Sequence, residues 1–257
     1  FRFLLLLSIL IFSSCNNKSS HSETDNIFKF KDYISYNTNG KVSITNPIRI
    51  ELVKSLEQYE LTQGIPLEYI TIFPKTDGQL FIENGSSIIF QPKEKLLPDT
   101  EYSITVLLKK LYDDVEKGFE SYTFSFKTLT TNFKINLGDL QSNSKEWQNI
   151  TGVLEVSDVV SSKEAVQLIK VSQKENDKIQ ITWPSELKEA KYFEFKIDSI
   201  HRKIEDSQIK ITWDGDAIEA DNNKGEETLT IPGQNNFKVI DIKSEVSPQT
   251  SLTINFS

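Results

Sequence analysis

The chain has 257 residues, of which 37% are hydrophobic and 26% charged, and its formal net charge is −8. This composition is typical of globular proteins and is enough for one large domain or two domains of about 100 to 150 residues. The acidic balance, without a basic stripe, argues against nucleic acid as a partner. The single cysteine excludes an intrachain disulfide and paired-cysteine zinc sites, so we expect hydrophobic cores to supply the stability.

Residues 1–14 have the character of a secretory signal peptide. Arg2 supplies one positive charge, and a nearly continuous apolar run occupies residues 4–12. A run of about 10 residues is too short to span a bilayer core, which takes about 20 residues in a helix. Two serines then precede Cys15, and this text resembles a bacterial lipobox in which Phe12 replaces the usual aliphatic residue.

We therefore predict that Cys15 is lipidated and that residues 15–27 form a flexible polar tether. The alternative is that Cys15 is an incidental buried thiol. No later segment reaches 18 consecutive apolar residues, so the lipid would be the only contact with a membrane. The protein is then expected in the bacterial cell envelope, in the periplasm or at the outer membrane.

Residues 28–129 show the period-two alternation of half-buried strands, and we predict a first β-sandwich module there. Asn84-Gly85 separates two apolar runs, and this dipeptide readily adopts the positive φ angles of a tight hairpin turn. Tyr102 follows Leu97-Pro98, where a tyrosine hydroxyl is expected to form a hydrogen bond across a sandwich corner. The alternating positions are Val42, Ile44, Ile48, Ile50, Leu52, Tyr102, Ile104, Val106, Tyr122, Phe124 and Phe126.

Residues 130–234 are predicted to form a second β-sandwich module with one short helix. The helix is expected over residues 163–171, where Ala165, Leu168 and Ile169 share a face, and Ser161 with Glu164 fits a capping box. The predicted strands cover residues 179–183, 193–197 and 209–213. The first and last of these carry nearly the same text, which indicates equivalent positions in the sheets.

Residues 235–257 begin a third alternating pattern, which we interpret as the start of a third, truncated module. The pattern continues almost to Ser257, and the sequence lacks an initiator methionine, so we expect the chain to be part of a longer protein. Turn-rich joints near residues 130–132 and 232–234 are the predicted boundaries. The apolar positions are Phe237, Val239, Ile242, Leu252, Ile254 and Phe256.

Several segments carry a family resemblance. They are Pro74 with Gly78 and residues 88–92, 97–102 and 122–128 of the first module, and residues 151–158, 225–232 and 237–239 of the second module and its end. They resemble the N-terminal modules of bacterial, Bacteroidetes-type alpha-2-macroglobulin family lipoproteins. The resemblance covers residues 28–257 and implies tandem immunoglobulin-like or macroglobulin-type β-sandwiches in a protein that traps proteases.

The resemblance also implies how such a protein acts: a bait segment is cut, the chain rearranges and the protease is held. Proteases are therefore the implied partners, contacted through parts of the family's chain that this sequence does not contain. The thioester motif of many members requires Cys-x-Glu-Gln, but Cys15 is followed by Asn16-Asn17-Lys18. Only lipidation at Cys15 carries over from the family.

Two constellations are candidates for ligand binding. Trp183 and Trp213 offer an aromatic platform for a sugar ring, but period-two counting places them with isoleucines on one face, which favours core packing. Asp214-Gly215-Asp216 and the acidic and amide side chains after it supply oxygen ligands. Their spacing does not match a calcium loop, so we predict a solvated hairpin loop.

The sequence contains no pattern that predicts catalysis or cofactor binding. His201 is the only histidine of the predicted folded region, and its charged neighbours indicate an exposed loop residue. No glycine-rich phosphate loop occurs. Three hypotheses are left: the scaffold of a protease-trapping inhibitor, a surface glycan- or protein-binding lipoprotein built of immunoglobulin-like modules, and an accessory domain of an exported hydrolase.

Overall fold

The structure is a computed structural model that describes residues 23–59, 61–173, 178–183, 188–220, 222–248 and 250–256. The predicted signal peptide, Cys15 and the first part of the predicted tether lie outside these residues. The described chain is mainly β, with several antiparallel sheets. No helix in the described ranges is long and apolar enough to cross a membrane.

The first half of the described chain forms two sheets. Its elements are α1 (Glu23–Lys29), β1 (Ile34–Asn37), β2 (Lys41–Val42), β3 (Ile48–Leu52), β4 (Gln63–Ile65), a 3-10 helix (Leu67–Tyr69), β5 (Ile70–Phe73), β6 (Gly78–Glu83), β7 (Ser87–Pro92), β8 (Glu101–Val106), α2 (Leu108–Leu111) and β9 (Tyr122–Thr128). One sheet has the order β1-β3-β7-β6-β4 and the other β2-β9-β8-β5. These strands pair antiparallel, apart from the parallel pair of β2 and β9.

Side chains from both sheets meet in one buried cluster. In β3, Ile48, Ile50 and Leu52 are all buried, as the period-two pattern predicts. Successive side chains of a strand point to opposite faces, so alternation of this kind leaves one apolar face for the opposite sheet to cover. The arrangement is consistent with a β-sandwich.

The predicted hairpin at Asn84-Gly85 is confirmed. Both residues have positive φ, 49° and 65°, and they lie in the turn that joins β6 to β7. A Cβ on Gly85 would lie 2.6 Å from the carbonyl oxygen of Leu56. Gly85 is therefore required twice, for its backbone conformation and for the close approach of a neighbouring segment.

The predicted role of Tyr102 is confirmed as well. Its side chain is 2% exposed on β8, and its hydroxyl accepts a hydrogen bond of 2.9 Å from the amide of Leu97. The ring also stacks on Phe126 of the neighbouring β9, with ring centres 5.4 Å apart. Tyr102 thus anchors the connection that leads into β8.

The second half forms two further sheets around a separate cluster of buried side chains. Its elements are β10 (Phe133–Ser142), β11 (Trp147–Ser161), α3 (Ser162–Ala165), β12 (Ile169–Ser172), β13 (Lys178–Ile179), β14 (Ile181–Thr182), β15 (Glu189–His201), β16 (Ser207–Asp214), a 3-10 helix (Gly215–Ile218) and β17 (Lys224–Ile231). The sheets have the orders β10-β11-β15-β14 and β13-β12-β16-β17.

The helix predicted over residues 163–171 is wrong beyond Ala165. The capping box is present: Glu164 donates its N–H to the Ser161 hydroxyl, and its carboxylate accepts the Ser161 N–H. After α3, however, Ile169–Ser172 is strand β12, which pairs with β16. The β-branched Ile169 and Val171 are both buried at period two, so pairing within the sheet overrides the helical spacing.

The two similar segments do not occupy equivalent positions, so that prediction is wrong. Residues 209–213 lie entirely in the central strand β16. In contrast, residues 179–183 change sheets, because Ile179 pairs with Val171 in one sheet and Ile181 pairs with Ile197 in the other. The two segments pair with different neighbouring strands, so similar sequences adopt different local structures.

The last elements, β18 (Val239–Glu245) and β19 (Ser251–Phe256), form an antiparallel hairpin. The hairpin contacts β10, and Lys243 forms an ion pair with Asp139 of that strand. Its apolar side chains are exposed; they are Val239, Ile242, Leu252, Ile254 and Phe256.

Candidate functional site

The clearest candidate site is the contact between the two buried clusters, which centres on Asp158. Asp158 lies on β11 of the second half, and its side chain is only 3% exposed. One carboxylate oxygen accepts a hydrogen bond of 2.6 Å from the Ser43 hydroxyl, and the other accepts one of 2.7 Å from the amide of Ile44. A single carboxylate thus connects the second half to the segment that follows β2.

Local structure explains why the carboxylate reaches the first half. In β11, Leu154, Val156, Asp158 and Val160 are buried at alternating positions. The register between β11 and β15 shifts between Glu155 and Val160. Such an irregularity bends a strand and redirects a side chain, which here leaves the sheet and points to the neighbouring half.

The surroundings of Asp158 favour its charged form. Burial opposes ionisation and alone would raise the pKa of this carboxyl group. Hydrogen bonds from four partners together outweigh burial, with those from Ser43 and Ile44 the largest, so the pKa lies below the usual value of an aspartate. The amide of Val159, at 2.8 Å, and the ammonium group of Lys191, at 3.3 Å, contribute in the same direction.

The remaining contacts between the halves are less extensive. Lys95 and Glu189 form an ion pair of 2.8 Å, but both side chains are partly exposed and the pair contributes little to stability. A cleft of about 210 Å³ also lies between the halves, with Ile44, Leu96 and Ile218 in its lining. The buried carboxylate is therefore the most specific contact of this junction.

No protein-family model matches this chain, and the search of curated proteins gave no match.

The two tryptophans pack against the second cluster, as predicted. The ring of Trp213 covers Gly225, where a Cβ would lie 2.5 Å from the ring. The ring of Trp183 lies 5.2 Å from that of Phe195. Trp183 also lines a groove of about 760 Å³ with Thr151, Glu194 and Lys196, whereas Trp213 does not line it.

The acidic segment after β16 is a hairpin connection with exposed carboxylates, and it contains a 3-10 helix. Asp214 accepts the amide hydrogen of Asp216, and Lys224 pairs with both carboxylates at 3.3 and 2.7 Å. The Asp216 amide, with help from Lys224, holds the pKa of Asp214 below its usual value. In the part of the chain that the structure describes, no group of three or more His, Cys, Asp or Glu side chains is arranged to hold a metal ion.

His201 is exposed, as predicted, but it is not a loop residue. It is the last residue of β15 and pairs in register with Trp147 of β11. The two rings lie 5.0 Å apart. The pairing with β11 extends the strand beyond the segment that alternation alone predicts.

Sequence reasoning did not identify Asp158 or Arg202. Arg202 is 5% exposed, and its side chain donates hydrogen bonds to backbone carbonyls. Both residues carried a detectable signal, because each stands two positions after a buried apolar residue of an alternating strand, Asp158 after Val156 and Arg202 after Ile200. A charge at such a position indicates a buried polar contact.

Proposed function

We propose that this chain is a non-catalytic scaffold of tandem immunoglobulin-like β-sandwich modules. In this proposal it belongs to the N-terminal part of an alpha-2-macroglobulin-like protease trap that is anchored by lipid at Cys15. The family resemblance of residues 28–257 supplies the identity of the trap. The observation that carries the scaffold role is the Asp158 junction, because a buried carboxylate bound to a neighbouring backbone fixes the relative orientation of two units.

The same junction is compatible with the rearrangement that trapping requires. Small polar interfaces between domains separate more readily than large apolar ones. Here, the specific contacts are concentrated on two oxygen atoms of Asp158. The scaffold would hold the trapping parts at a defined distance from the membrane and let them turn once these hydrogen bonds break.

A protease-capture assay tests the proposal. The complete natural polypeptide that contains this chain is incubated with a protease, and cleavage of a large protein substrate and of a small peptide substrate is measured. A trap should block the large substrate and spare the small one, whereas residues 16–257 alone should block neither. Equal cleavage of both substrates at every ratio of polypeptide to protease would contradict the trap.

Membrane fractionation tests the anchor. Cys15→Ala should move the protein from the membrane fraction to the soluble fraction, because the lipid is the proposed contact. Ser14→Ala is the matched control, since it keeps a small residue before the cysteine. Persistent membrane association of Cys15→Ala would refute lipid anchoring at this residue.

A second candidate function, glycan binding, is favoured by the groove at Trp183. An aromatic ring beside hydroxyl, carboxylate and ammonium groups is suited to a sugar ring. A glycan array with Trp183→Ala and the control Trp213→Ala distinguishes the candidates. Loss of a glycan signal in Trp183→Ala alone would support the groove, and no signal from the unmodified protein would exclude this function.

A further inference from the structure

The side chain of Arg202 binds the segment before the last hairpin, residues 232–236. The guanidinium group donates to the carbonyl oxygens of Pro232 at 2.9 Å and Gly233 at 2.8 Å. It also donates to the carbonyl oxygen of Asn236 at 3.3 Å. Breaking these bonds would leave a buried positive charge without hydrogen-bond acceptors, which costs free energy. The planar guanidinium group also fixes the directions in which it donates, so the contact restricts the position of the segment.

The gripped segment binds back to the chain around Arg202. The side-chain amide of Gln234 donates to the carbonyl oxygen of Arg202 at 2.8 Å, and the backbone amide of Gln234 donates to that of Lys203 at the same distance. A Cβ on Gly233 would lie 2.5 Å from the carbonyl oxygen of Ile204. The two segments therefore lie too close for any side chain at position 233.

Asp206 holds the same segment from the other side. Its carboxylate accepts the amide hydrogen of Gly233 at 2.8 Å, the side-chain amide of Asn236 at 3.0 Å and the ammonium group of Lys238 at 3.2 Å. These partners, with the Gly233 amide first, lower the pKa of Asp206 to about 2. Asp206 is thus ionised at neutral pH and binds the segment just before β18.

The hairpin beyond this segment presents an apolar face. Ile242 and Ile254 are a cross-strand pair, and Phe237 stacks on Phe256 with ring centres 5.1 Å apart. These side chains are exposed. A two-stranded hairpin is marginally stable by itself, so its direction depends on its contacts with β10 and on the contacts that hold its base.

We propose that Arg202 and Asp206 form a latch that fixes the direction in which hairpin β18–β19 presents its apolar face. Arg202 binds the carbonyl groups of the connecting segment, and Asp206 binds its donors. The latch adds a second joint to the Asp158 junction, at the opposite end of the β11–β15 pair. It rests on the contacts of Arg202 and Asp206 and is independent of protease capture.

Pulsed electron spin resonance on the full chain tests the latch. Spin labels are attached to cysteines introduced at Gln208, on β16, and Thr253, on β19, in a Cys15→Ala background. The parent should give one narrow distance distribution. Arg202→Met removes the donors but keeps much of the bulk and should broaden the distribution. Arg49→Met, which alters a partly exposed arginine of the first half, should not.

Amide hydrogen exchange provides the second readout. Exchange at Gly233 and Gln234 should rise by ~10-fold or more in Arg202→Met, because the bonds that hold this segment are lost. Asp206→Asn, a change at the surface, serves if Arg202→Met does not fold. A broad distribution in the parent would overturn the proposal, as would unchanged distance and exchange in Asp206→Asn.

Discussion

Replacing Asp158 with Asn tests the junction directly. The carboxylate accepts hydrogen bonds from the Ser43 hydroxyl, the Ile44 amide and the Val159 amide, whereas an asparagine side chain has one acceptor oxygen and places an NH₂ group where donors point. A hydrogen bond to a charged group contributes about 1.5 to 3 kcal/mol. Loss of one to two such bonds should lower the free energy of unfolding by about 1.5 to 6 kcal/mol.

A double-mutant cycle separates the junction from a local defect in β11. Urea unfolding is measured for Asp158→Asn, Ser43→Ala and the double variant, with Asp198→Asn as the control, because Asp198 forms a partly exposed pair with Lys196. The coupling energy should be at least about 1 kcal/mol, since the two residues contact each other. The control should cost about 0 to 1 kcal/mol. Additive single changes, or a cost of Asp158→Asn no larger than the control, would show that Asp158 and Ser43 do not hold the two halves together.

Three further predictions concern single residues. Tyr102→Phe should lower the free energy of unfolding by about 1 kcal/mol, because the Leu97 amide loses its acceptor. In the same urea measurement, Tyr36→Phe at an exposed position should lower it by about 0.5 kcal/mol or less. Gly40 has a φ of 65° and open space around it, so Gly40→Ala should lower the free energy of unfolding by about 1 to 2 kcal/mol. Gly85→Ala should lower it more, because the new Cβ would clash with the Leu56 carbonyl oxygen. Equal losses in the two variants would contradict the clash. The folded-state pKa of Asp206 is lowered from 3.8 to about 2, so its contribution is complete above pH 4 and is lost as the pH falls through about 2. Relative to the exchange rate of an unprotected amide at the same pH, exchange at Gly233 should therefore accelerate over this range, and Asp206→Asn should abolish that relative acceleration.

The sequence predicts best those elements whose determinants are close together in the chain. The alternating residues of β3 and the Asn84-Gly85 turn are local signals, and both are found where they were expected. The capping box at Ser161 is also local, and it is present. The length of the helix after the capping box is not set locally, because Ile169 and Val171 pair with β16, about 40 residues later in the chain.

The junction illustrates why the candidate site was harder to predict. Asp158 lies between the buried residues Val156 and Val160 in the alternating pattern, so the local sequence indicates a buried carboxylate. Its partner Ser43, however, lies 115 residues away, and no pattern around Ser43 singles it out. The change of sheet at Gln180 is similarly non-local, since each side of it pairs with a different strand.

The two joints share a principle that limits which substitutions they tolerate. Asp158 binds the backbone amide of Ile44, and Arg202 binds the backbone carbonyls of Pro232 and Gly233. Because every residue offers a carbonyl group and every residue except proline offers an N–H, the bound segments are free to vary where neither space nor a side-chain contact restricts them. Asp158 and Arg202 are not free to vary, because a shorter or neutral side chain leaves buried backbone groups without hydrogen-bond partners. Ile44→Val should therefore preserve the first joint, whereas Asp158→Asn should weaken it.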